Sequence, residues 1–157
     1  MLPGAGAGRG TLAAQSVPLE RVTASIERVF GSGSRAVRVP VGTDTALRVT
    51  HAGSVIGFAR VGNVRGRDLP ITFLVAVDPA GNLLDVDILV YREPYGGEVA
   101  YDSWREQFRG ATAESRLQVG RDIRGISGAT ISVHAVTRGI RQTLQELAEW
   151  RRSGQLK

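Results

Sequence analysis

Two apolar runs at residues 71–77 and 84–90 flank Asp78-Pro-Ala-Gly-Asn82, and together they commit the middle of the chain to an antiparallel hairpin. Pro79 and Gly81 supply the dihedrals that a tight reversal needs. Along the second run Leu84, Val86, Ile88 and Val90 alternate with Asp85, Asp87 and Leu89. That pattern predicts one apolar face and one wet face carrying both aspartates. Further strands are expected at 35–39, 46–51 and 54–61, divided by glycine-containing turns. Before them, Leu19, Val22, Ile26 and Val29 line one side of a helix spanning 18–30, ended by Gly31. Strands in a run with helices mainly at the two ends indicate an α+β fold. It comprises a largely antiparallel sheet, an N-terminal helix, a short middle helix and a long C-terminal helix.

The last of these helices is marked by Val133, Val136, Ile140, Leu144 and Leu147, spaced three or four apart. It follows Arg124-Gly-Ile-Ser-Gly-Ala-Thr-Ile-Ser132, a small-residue turn with hydroxyls at the helix start. Ser127 is the expected N-cap, which makes Thr130 the N3 residue. A threonine is too short to complete a capping box from N3, so its hydroxyl is left free at the positive end of the helix. Such an end favours anions.

Composition narrows the chemistry. The chain has 157 residues, 42% hydrophobic and 22% charged, which fits one ordinary globular domain. It has no cysteine, and His51 and His134 have no partner at metal-ligand spacing, so no metal site is expected. The net charge is +5, and all but one of the twenty basic residues are arginine. These are scattered among acids without a nucleic-acid motif, so no nucleic-acid partner is expected. No stretch approaches the roughly 20 apolar residues of a membrane span. Residues 1–17 are rich in small residues and non-periodic, and a flexible segment is expected there. Leu12-Ala-Ala14 is placed like the cleavage site of a secretory signal whose charged start and apolar run are missing. Residues 18–157 then form the domain.

Ser127-Gly-Ala-Thr130 followed by Ile131-Ser132 resembles the attachment motif of the FMN-binding domain family. The family includes subunits of Rnf-type and sodium-pumping quinone reductase complexes and related extracytoplasmic proteins. The likeness extends in order over about 55–150. It takes in Gly57-Phe58, the runs at 69–78 and 84–90, the loop Glu93-Pro-Tyr-Gly-Gly97 and the segment Trp104-Arg-Glu-Gln-Phe-Arg-Gly110. The resemblance implies FMN esterified through its phosphate to Thr130 by a separate flavin transferase. It also implies an extracytoplasmic location and a redox partner protein associated with a membrane. Ser127, Gly128, Ala129 and Ser132 would surround the phosphate, and Glu93, Tyr95, Gly96 and Gly97 would meet the flavin. Glycines let backbone approach a flat ring, and Tyr95 is the expected stacking residue. Arg124 stands where the family usually has an aspartate. This departure leaves ester-linked and non-covalent FMN both open, and an arginine there can pair with the phosphate.

Other residues have plainer readings. Asp85 and Asp87 fit a solvent-facing sheet surface, and Trp104 and Phe108, four apart, fit core packing. Arg65 and Arg67 read as a solvated loop, and His134 receives no role. Gly139 marks close approach of a strand or of the flavin. Nothing resembles a substrate-turnover constellation, so a non-catalytic electron carrier is expected rather than a stand-alone enzyme. The rival is a phosphate-anchored binding or interaction module without redox function.

Overall fold

The computed structural model describes residues 17–157, and the expectations for residues 1–16 lie outside them. Helix α1 spans Leu19–Phe30 and ends at Gly31, whose φ of +100° few side chains tolerate. Strands β1 (Arg35–Val41), β2 (Asp44–His51), β3 (Ser54–Arg65), β4 (Pro70–Val77) and β5 (Leu83–Val90) follow. They pair in sequence order as one antiparallel five-stranded meander. A 3-10 turn (Gly97–Ala100), the short helix α2 (Asp102–Arg105) and a second 3-10 turn (Glu106–Phe108) lead through an irregular stretch to helix α3 (Thr130–Arg152). The fold is α+β with the expected helices at the start, middle and end.

The sheet is covered on both faces. On one, Val133, Val136, Ile140, Leu144 and Leu147 of α3 pack with Phe73, Val75, Val86, Trp104 and Phe108. Trp104 and Phe108 meet edge to face at 5.1 Å, so both are core residues as their spacing indicates. The Phe73 ring lies between two glycines. A Cβ on Gly62 would come within 2.6 Å of that ring, and one on Gly139 within 2.8 Å of it. Gly139 therefore marks helix–sheet approach.

On the other face α1 packs Ile26, Val22, Val29 and Phe30 against Val49, Ala59, Leu74, Ala76 and Leu89, with Val17 joining them. This overturns the expectation of a wet face for Asp85 and Asp87. Both are buried beneath α1 and charge-paired. Asp85 accepts from Arg28 Nη1 at 2.8 Å and Arg105 Nη1 at 2.9 Å, and Asp87 accepts from Arg21 Nη1 at 2.9 Å. The alternation along β5 also breaks. Register shifts between Thr72 and Phe73 and between Ala76 and Val77 put Leu83, not Leu84, on the α3 face with Val86 and Ile88. Val90 turns toward the α1 cluster. A bulge adds one residue and flips the faces beyond it.

Candidate functional site

Helix α3 starts two residues later than its sequence indicates. Ala129 N–H donates to Ile126 O at 3.0 Å across a turn whose third residue, Gly128, has φ +79°. That left-handed position is where a type II turn calls for glycine. Ser127 occupies the second turn position and makes no capping bond; Ala129 is the N-cap and has no side-chain acceptor to offer. Thr130 is thus the first helical residue, exposed at the helix end. The backbone N–H groups of Ile131 and Ser132 have no acceptor among the described residues. The free hydroxyl at the positive helix end therefore persists, though for a different reason: the cap is an alanine.

The loop at 93–97 packs directly on this start. Gly96 has φ +86°, and a Cβ there would come within 2.6 Å of Tyr91 Oη and 3.0 Å of Ala129 Cβ. Gly97 has no such constraint, its nearest neighbour being Tyr91 Cε1 at 4.0 Å. Of the two expected backbone-approach glycines, only Gly96 is sterically required. Tyr91 Oη donates to the Tyr95 carbonyl and lies 3.0 Å from Ser132 Oγ. A phenol has one proton, so Ser132 donates to Tyr91. The buried Ser132 hydroxyl thereby ties the 93–97 loop to the first turn of α3. The Tyr95 side chain itself is 78% exposed.

Glu93 does not project into solvent. Its Oε1 accepts from Asp68 N at 2.7 Å and Leu69 N at 2.9 Å. The N–H groups of Leu69 and Asp68 hold the carboxyl below its ordinary range. Gly66 N donates to Leu69 O at 2.9 Å, closing the turn between β3 and β4 that Glu93 anchors. Arg124 is engaged by α2 and the 3-10 turn after it. Its Nη2 donates to Ser103 O at 3.2 Å, its N–H to Gln107 Oε1 at 2.7 Å, and its carbonyl accepts Trp104 Nε1 at 2.8 Å. Asp122 is held by Arg116 through two bonds of 2.9 and 2.7 Å, and these with the Gln118 N–H keep it well below the usual carboxylate range.

The turn that Glu93 anchors forms one wall of a surface groove of about 440 Å³. Arg65 and Gly66 line it from the sheet, and Thr130, Ile131, His134, Ala135 and Arg138 from α3. Thr130, His134 and Arg138 follow one another at four-residue spacing along one helix face. That spacing is legible in the sequence, but Arg65 joins it only through the tertiary fold.

A threonine hydroxyl on an open helix start, beside a groove with cations and no acid, defines a protein suited to hold a phosphate-bearing ligand. The profile of the FMN-binding domain family matches residues 66–145, from the groove's Gly66 through most of α3. The chain belongs to that family, and FMN is its cofactor. It is also 32% identical over 84 residues to a subunit of the proton-translocating ferredoxin:NAD(+) oxidoreductase complex of Clostridium ljungdahlii. The match covers 49% of this chain and 45% of that protein, so the chain spans less than half of its relative's length. The residues present fit FMN: an exposed hydroxyl, unbonded first-turn N–H groups, and a groove mixing cations with Ile131, Ala135 and Gly66. No helix among the described residues is long and apolar enough to cross a membrane.

Proposed function

We propose that residues 18–157 are a single FMN-carrying electron-transfer domain whose flavin is linked through its phosphate to Thr130. The observation that carries this is the exposed Thr130 hydroxyl at the uncapped first turn of α3, beside the groove and inside the family-matched segment. In the attachment step, Thr130 Oγ1 bonds to the flavin-side phosphorus of FAD as the pyrophosphate bond breaks. AMP leaves and the hydroxyl proton is released. A separate flavin transferase supplies the catalysis.

Bound FMN supplies the redox chemistry by taking up and releasing electrons. The protein's own groups hold and orient it. First-turn N–H groups receive phosphate oxygens, with Ser127, Gly128 and Ala129 forming the turn that exposes them. Ser132 locks Tyr91 and, through it, the Tyr95–Gly96–Gly97 loop onto the helix start. Glu93 holds the β3–β4 turn that walls the groove. Arg124, engaged at Ser103, acts by fixing the approach to the motif rather than by meeting the phosphate. The relative's place in a proton-translocating oxidoreductase complex supports a membrane-associated redox partner, and an extracytoplasmic site of action goes with the family resemblance alone.

Intact mass after denaturation tests the linkage. Protein co-expressed with the transferase should retain one FMN mass, and Thr130→Ala should lose it while staying folded, because Thr130 is exposed. Flavin that survives denaturation of Thr130→Ala would refute the assignment. A wild-type protein that binds FMN but sheds it all on denaturation would make this a non-covalent member.

A further inference from the structure

The groove beside Thr130 is built for more than a phosphate. Its floor is apolar, with Gly66, Ala135 and the half-exposed side chain of Ile131. Gly66 has little room for a side chain, since a Cβ there would lie 2.7 Å from Glu93 Oε1 and 3.0 Å from the Leu69 carbonyl oxygen. Its rim carries the cations Arg65 and Arg138 beside His134, and no acid lines it. Neither Arg65 nor Arg138 has a carboxylate within 4 Å among the described residues, and residues 1–16 contain no acid. From Thr130 to Arg138 the helix rises about 12 Å, room for a ribityl chain and part of a fused three-ring system. A phosphate fixed at Thr130 therefore leaves Arg138 too far along the helix to serve it. An apolar floor with cations at its far end suits a flat aromatic that becomes negative.

We propose that the isoalloxazine of Thr130-linked FMN lies in this groove, and that Arg65 and Arg138 raise its reduction potential. The proposal rests on the FMN reading above and names where the ring goes. Two electrons from a reduced partner protein and one proton from solvent convert the neutral ring to its reduced monoanion. One unit of negative charge is gained, and nearby guanidinium groups favour the product over the reactant.

The test is a dithionite titration of the flavin-loaded domain against a dye of known potential, with loading verified by mass. Arg138→Gln and Arg65→Gln should load fully and each shift the reduced-to-oxidised ratio about tenfold toward oxidised, a drop of about 30 mV for a two-electron couple. Arg138→Lys should keep the wild-type potential, and Arg38→Gln on the exposed strand β1 should leave it unchanged. Fully loaded Arg65→Gln and Arg138→Gln proteins with wild-type potential and spectrum would overturn the proposal. So would an equal drop in Arg138→Lys, or a potential that moves with Tyr95→Leu and not with the arginines. A wild-type protein that takes no flavin at all overturns the functional reading itself, which the mass distinguishes from these outcomes.

Discussion

Arginines dominate two regions of this domain, and they are placed under opposite rules. Beneath α1, Arg21, Arg28 and Arg105 surround Asp85 and Asp87, and Arg109 reaches Asp85 Oδ2 at 3.5 Å. Every guanidinium there faces a carboxylate. In the groove beside Thr130, Arg65 and Arg138 face none among the described residues. Charge carried into a covered layer has to be paired, since an unpaired buried ion costs several kcal/mol. Charge left unpaired on a groove wall costs little in water and stays available to a ligand. The net charge of +5 is therefore less informative than where the pairing stops.

The largest expected effect comes from breaking the paired region. Asp85→Asn removes the negative charge that Arg28 and the buried Arg105 share, and replaces one of its two acceptor oxygens by a donor. Loss of one member of a buried pair costs about 3–5 kcal/mol. The lower end applies here, because the Arg28 side chain is 41% exposed. Burial opposes ionisation of Asp85 and Asp87, but hydrogen bonds from Arg28 and Arg21 outweigh it and hold both below the ordinary carboxylate pKa. A lowered folded pKa gives stability that is complete above the unfolded value of about 3.9 and fades as pH falls through the folded one. Urea midpoints should thus decline below about pH 4 in wild type, and more shallowly in Asp85→Asn. A variant with the wild-type midpoint at pH 7 would mean that the pairing contributes nothing and that the two regions do not differ.

These regions were unequally legible in the sequence. The apolar stripe of α3, the hairpin around Pro79 and Gly81 and the N-terminal helix follow from local periodicity and turn chemistry, and all stand as expected. The role of Asp85 and Asp87 was not legible. Alternating apolar and acidic residues on a strand read the same whether water or a row of arginines lies opposite, and α1 is 57 residues or more away along the chain. The cap at Ala129 was hidden by a serine with the right chemistry but a turn position, because Gly128 spends its left-handed φ on a tight turn first. Thr130 is singled out by motif. The groove is not, since Arg65 comes to it only when Glu93 pins the β3–β4 turn.

A middle-sized effect separates the two loop glycines. Gly96→Ala puts a Cβ at a left-handed φ of +86° and 2.6 Å from Tyr91 Oη. Strain of that kind costs about 1–3 kcal/mol, and the Tyr91–Ser132 contact has to yield. Gly97→Ala meets nothing closer than 4.0 Å and should stay within about 0.5 kcal/mol of wild type. Chemical denaturation of both proteins measures the difference. Equal losses would show that Gly96 is not the residue that fits the loop to the helix start.

The smallest effect belongs to the unpaired region, and its smallness is the point. Arg65→Gln and Arg138→Gln remove exposed cations that hold no carboxylate, so each should change stability by no more than about 0.5 kcal/mol. Two like charges lining one groove repel, and relief of that repulsion offsets whatever packing their aliphatic stems lose. The double variant should therefore be no less stable than either single one, and high salt, which screens the repulsion, should narrow any remaining difference. The urea slope should be unchanged, since no surface is newly exposed. Should either single variant lose more than about 1 kcal/mol, beyond the usual range for surface substitutions, the groove arginines would be part of the fold. Lack of a carboxylate partner would then say nothing about a ligand, and the contrast between the two regions would fail at its weaker end.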